Sequence, residues 1–120
     1  MLSVSPAVKI FLYNDIADLR RGYDGLASIV QGAMGEDPLS GSLYVFLNRR
    51  RNRIKLLYWD SDGYAVWMKR LERGCFEMPQ VDATDGASLK ITASVLSLIL
   101  EGIDLSSVRR HRRFQLRPTG

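Results

Sequence analysis

The sequence predicts an α+β domain, an antiparallel β-meander of about four to five strands packed against two helices, followed by a basic, flexible C-terminal tail. Three observations carry this. Residues 37–79 break into short apolar segments separated by turns. Two other segments repeat apolar residues at helical spacing behind a capping residue. The last twelve residues hold five arginines and no apolar period. At 120 residues the chain is most simply one domain over residues 1–105 with a tail over 106–120.

The elements follow in order. Val8 to Tyr13 alternates Lys9, Phe11 and Tyr13 against Val8, Ile10 and Leu12, the pattern of a strand, and Asn14-Asp15 ends it. Asp18 is placed to cap a helix from Leu19 to about Met34, with Leu19, Tyr23, Leu26, Ile29, Val30 and Ala33 at helical spacing. Gly32 and Gly35 weaken its end and Asp37-Pro38 stops it. Leu43–Asn48, Arg53–Trp59, Tyr64–Leu71 and a short Cys75–Met78 then read as strands. Their connections are too short for a parallel crossover, so they pair as antiparallel hairpins. The polar segment 80–90 reads as a loop. Thr92 caps a second helix from Ala93 to about Leu100, Ile91 is placed to staple onto Leu96, and Gly102 stops it. The remainder reads as frayed.

Turns at Arg50-Arg51 and Asp62-Gly63 set an expected register. Phe46 then faces Lys55 and Tyr44 faces Leu57, while Lys55 faces Arg70 and Leu57 faces Met68. One face collects Leu43, Val45, Leu47, Ile54, Leu56, Tyr58, Trp67 and Leu71, a core face for the two helices. The other collects Tyr44, Phe46, Arg53, Lys55, Leu57, Trp59, Val66, Met68, Arg70 and Glu72. Three uses fit that second face. Cations and rings together make a nucleic-acid platform. The same rings can pack under a loop with Lys and Arg stems over their edges. Exposed Trp, Tyr, Met and Arg also suit a protein–protein patch.

The net charge of +4 is mild but its distribution is clustered. Arg49, Arg50, Arg51, Arg53 and Lys55 form one group, Lys69, Arg70 and Arg73 a second, and Arg109, Arg110, Arg112, Arg113 and Arg117 a third. Clustered cations favour a polyanion because each neutralised phosphate releases a counterion. Catalytic signals are missing. The lone His111 sits among arginines, no multi-Cys metal set exists, and no phosphate-cradling or serine-elbow motif occurs. Asp60 and Asp62 suit a tight turn, and Cys75 lacks a base partner. No enzyme and no cofactor is expected. No apolar run approaches a membrane span, the N-terminus reads as a strand, and one cysteine fits a reducing cytoplasm.

A resemblance adds a setting. Asp18-Leu-Arg-Arg-Gly-Tyr-Asp-Gly-Leu26, Asp37-Pro-x-Ser-Gly41, Tyr44-Val-Phe46, Asn48-Arg-Arg-Arg51, Arg53-Ile-Lys55, Trp59-Asp60, Asp62-Gly-Tyr64 and Lys69-Arg-Leu-Glu72 closely match the TnpB-type accessory proteins of the insertion-sequence 66 transposon family. Gly74-x-Phe76-x-x-Pro79 and Leu100-Glu-Gly-Ile103 fit the same pattern, and Tyr44 and Tyr64 stand where Phe is common. The resemblance implies a small protein encoded beside a DDE-type transposase that holds the catalytic carboxylates, and needed for efficient transposition. It transfers no assigned site. Two roles follow: DNA binding through Arg49, Arg50, Arg51, Arg53, Lys55, Lys69 and Arg70 with Phe46 and Trp59 beside them, or docking on the transposase or another accessory subunit through the aromatic face. Arg20 and Arg21 are further DNA candidates, since cations near a helix start oppose its dipole.

Overall fold

A computed structural model describes Ser5, residues 7–79, Val81 and residues 83–102; the expected tail, with its arginines and His111, lies outside the described residues. The elements run β1 (Ile10–Ile16), α1 (Tyr23–Gln31), β2 (Leu43–Leu47), β3 (Arg53–Asp60), β4 (Gly63–Arg70), β5 (Ser88–Ile91) and α2 (Ala93–Glu101), with a 3-10 turn at Ala83–Asp85. They build the predicted α+β fold around one five-stranded, mostly antiparallel sheet in the order β4-β3-β2-β1-β5. The meander is β2–β3–β4. Strand β1 lies parallel to β2, because α1 and its loops carry the chain back across the sheet between them.

The β2–β3 register is the expected one, with Tyr44 opposite Leu57 and Phe46 opposite Lys55. Between β3 and β4, Arg53 faces Arg70, Lys55 faces Met68 and Leu57 faces Val66, two residues away from expectation. The tight turn is Ser61-Asp62 rather than Asp62-Gly63, with Ser61 in the left-handed region at φ 58°. An even offset keeps every side chain on its predicted face.

Those faces are both covered, which corrects the expectation that the two helices share one. On one side Leu43, Val45, Leu47, Ile54 and Leu56 pack with Leu96 and Ile99 of α2 and with Phe76. On the other, Tyr44, Phe46 and Leu57 pack with Leu26, Ala27 and Val30 of α1, with Leu19 and Met34 from its flanks. All five residues of β2 are buried. The Tyr44 hydroxyl donates to the Asp37 carbonyl at 2.8 Å, so this buried phenol keeps a polar partner.

Three further elements depart from expectation. Helix α1 is capped at Gly22, not Asp18, and starts at Tyr23, because Ala17 N–H is tied to the Leu47 carbonyl at 2.9 Å and the Asp18 carboxylate is committed to Arg20. It ends at Gln31, where the amides of Met34 and Glu36 take the Ile29 and Val30 carbonyls and Gly35 turns at φ 66°. Cys75–Met78 joins no ladder; Phe76 is instead a fully buried plug. Ser88 to Lys90, read as loop, belong with Ile91 to the edge strand β5, with Leu89 and Ile91 packed on the α2-side core. The second helix is as predicted: Thr92 Oγ1 accepts from Val95 N–H at 3.1 Å, and Gly102 closes it at φ 73°.

Burial of Phe46 against α1 makes Phe46→Ala costly, about 3–5 kcal/mol by urea denaturation. A loss below about 1 kcal/mol would mean that α1 does not close this face.

Candidate nucleic-acid interface

The arginine run sits on the connection between β2 and β3, a loop held by its own amides. Arg51 N–H donates to the Asn48 carbonyl at 3.0 Å, closing a turn that puts Arg51 itself at φ 57°. That conformation disfavours a long side chain and suits Gly or Asn. The Asn48 side chain accepts from Arg53 N–H at 3.0 Å and donates to Asn52 Oδ1 at 2.8 Å. The segment after β4 braces the loop from outside. Leu71 N–H reaches the Asn52 carbonyl at 2.8 Å, and Phe76 N–H donates to the Arg51 carbonyl. With Phe76 buried in the core, the turn is anchored at its apex.

Arg49, Arg50, Arg51 and Arg53 are all exposed, and among the described residues none of them is in an ion pair. A groove of about 750 Å³ opens beside them, walled by Arg49, Arg50, Arg53, Asn48 and Asn52 and, opposite, by residues 15–20. A bulge shapes the opposite wall. Between the Leu12–Val45 and Ile16–Leu47 pairs β1 has two more residues than β2, which throws Asp15 and Ile16 out over the turn. Leu19, buried on the α1 side, pins this wall. A smaller groove of about 260 Å³ continues past Arg53 to Lys55, Met68, Lys69 and Arg70. Leu19 and Arg53 line both.

Four of the other predicted cations, Arg20, Lys55, Lys69 and Arg70, have local partners. Arg20 makes a two-pronged contact to Asp18, Nε to Oδ1 and Nη2 to Oδ2, each at 2.9 Å. Lys55 Nζ donates to the Arg21 carbonyl at 3.2 Å, beside the start of α1, while the Arg21 side chain is exposed. Lys69 Nζ donates to the Leu100 carbonyl at 3.3 Å, a favourable place for a cation at the end of α2. Arg70 pairs with Glu72 at 3.2 Å.

Two predicted residues are not brought to this site. Phe46 is fully buried between β2 and α1 and is withdrawn from any interface. Trp59 is half-buried six residues along β3 from Arg53, about 20 Å away at strand spacing. Its ring meets Tyr64 edge-on, with centroids 5.1 Å apart at 79°. The loop-holding pair Asn48 and Asn52 was missed, although two turn-forming amides flanking an arginine run are a visible signal.

The Asp18 carboxyl is held down to about 2 by the Arg20 side-chain hydrogen bonds first and the Arg20 backbone N–H second. A lowered folded-state pKa means the contact contributes above the ordinary carboxylate range and is lost as pH falls from about 4. Carboxyl NMR should place the Asp18 midpoint near 2, and Arg20→Ala should return it toward 3.8. An unmoved midpoint would show that Arg20 is not its partner in solution.

Comparison with known proteins supplies the lineage of this scaffold. The profile of the IS66 Orf2 like protein family matches residues 8–110. The uncharacterized protein y4jC of Sinorhizobium fredii (strain NBRC 101917 / NGR234) is 36% identical over 110 residues, covering 92% of each chain. The uncharacterized protein y4hO of the same strain is 34% identical over 119 residues, covering 99% of this chain and 97% of its own. No solved structure matches. No helix among the described residues is long and apolar enough to cross a membrane. With the family match spanning nearly the whole described domain, the chain belongs to the IS66 Orf2-like family of transposition-associated accessory proteins.

Proposed function

We propose that this chain is a non-catalytic accessory protein of transposition that binds DNA at transposon ends through the Arg49–Arg53 turn and its adjoining grooves. One observation carries this. Four guanidinium groups stand exposed on a braced loop without an ion pair among the described residues, while Arg20 and Arg70 on either side have acidic partners. Unpaired cations on a fixed frame suit phosphate, because no ion pair must first be broken, and the Asp15 and Asp18 carboxylates stand on the opposite wall of the groove. A non-glycine residue kept at φ 57° supports the same reading, since among the described residues no hydrogen bond or ion pair of the Arg51 side chain offsets its backbone cost.

An adaptor docking through the aromatic sheet face loses most of its surface, because α1 covers Tyr44, Phe46 and Leu57. Transposase, with its own catalytic carboxylates, would then meet this protein on the DNA rather than through that face.

The test is equilibrium binding to transposon-end duplex over a range of salt. Arg50→Ala/Arg51→Ala/Arg53→Ala should weaken binding and reduce the log–log salt slope by about 2–3. Arg51→Gly separates function from fold: relief of the left-handed strain should raise stability by about 1 kcal/mol while affinity falls. Unchanged affinity and slope in the triple variant would exclude the turn as the DNA contact. A stability loss in Arg51→Gly would assign Arg51 to the fold instead.

A further inference from the structure

We propose that the outer edge of β4 pairs with β4 of a second copy of this chain, joining the two sheets into one about a two-fold axis through Val66. The inference does not depend on DNA binding.

Strand β4 is outermost in the sheet, with only β3 beside it among the described residues. It is eight residues long, pairs with β3 without a bulge, lacks proline, and carries charge only at its end, at Lys69 and Arg70. Met68 on it is 62% exposed. Long, flat, uncharged edges recruit another strand unless they are blunted. The opposite edge is blunted by its shortness, since β5 has only four residues.

The backbone fixes which groups are offered. Leu71 N–H donates to the Asn52 carbonyl at 2.8 Å, so the alternation of an antiparallel ladder turns odd-numbered residues of this strand toward β3. Tyr64, Val66, Met68 and Arg70 then present their N–H and C=O groups outward. In a continuous sheet built by a two-fold axis, facing residues share a face, so the axis must pass through a residue rather than between two.

Side-chain chemistry selects the residue. With the axis at Val66, Asp62 faces Arg70, Tyr64 faces Met68, and Ala65 faces Trp67, each twice by symmetry. Acid meets base, the exposed thioether meets a ring, and small meets large. Moving the axis to Ala65 sets Asp62 against Met68, and moving it to Trp67 sets Arg70 against Tyr64. Arg70 is free to change partners, because its pair with Glu72 is formed by side chains 57% and 79% exposed. The arginine-rich sequence beyond residue 108 is a poorer occupant, since it would bring like charge to Lys69 and Arg70.

Sedimentation equilibrium of the full chain over a wide concentration range tests this. The mass should double with concentration. Asp62→Arg and Arg70→Asp should each weaken the dimer about tenfold or more, and the two together should restore it. Val66→Cys in a Cys75→Ser background should oxidise to a covalent dimer, because facing Cα atoms of a hydrogen-bonded pair lie about 5.5 Å apart. A chain monomeric at every concentration overturns the proposal. So does a dimer indifferent to the charge changes, or a monomer whose Tyr64, Val66 and Met68 amides resist hydrogen exchange, which would mean that another segment of the same chain covers the edge.

Discussion

Everything in this domain is organised by the two-sided burial of β2. Its five residues are all inside, so the strand cannot lie at an edge or face solvent. It needs a neighbour on each side and a covering layer on each face. Strands β1 and β3 supply the neighbours, α2 covers Leu43, Val45 and Leu47, and α1 covers Tyr44 and Phe46. Continuous apolar strands of this kind belong inside sheets with helices on both faces, and the parallel β1–α1–β2 unit is the connection that puts one there. One functional consequence follows directly. The chain leaves a fully fixed strand straight into the arginine turn, which inherits that rigidity.

Much of this was legible because short loops leave little choice. The β2–β3 pairing followed from loop length and the turn placed at Arg50-Arg51, and the β3–β4 error of two residues was harmless because side chains repeat every two. What pattern did not show was coverage. Tyr44, Phe46 and Leu57 share a face with Arg53 and Lys55, and the mixture suggested a platform open to a partner. The structure divides that face along its length: α1 closes its apolar part, and the cations emerge beyond the start of the helix. No local period encodes where a helix ends over a sheet. The start of α1 misled for a related reason. Asp18 has the right chemistry for a cap, but an arginine two residues on captures the carboxylate. Strand β5 was hidden because four residues after a polar run carry too short a pattern to separate from loop.

The candidate site shows the same division between clustering and availability. Sequence grouped Arg49 to Lys55 with Lys69 and Arg70 as one basic field. Within the fold, Lys55, Lys69 and Arg70 bind local acceptors, and Arg20 is matched to Asp18. The arginines of the turn are left on a loop whose own hydrogen bonds use amide side chains and backbone rather than charge. Proximity in sequence located the charge, and hydrogen-bond geometry distinguishes which of it is available to a ligand.

The most direct measurement of that claim follows individual arginine Nε resonances of the full chain while transposon-end duplex is added. The account predicts that Arg49, Arg50, Arg51 and Arg53 shift or broaden first, with Arg20 and the Trp59 indole little changed. Perturbation centred on Trp59 and Met68, with the turn arginines unmoved, would contradict it.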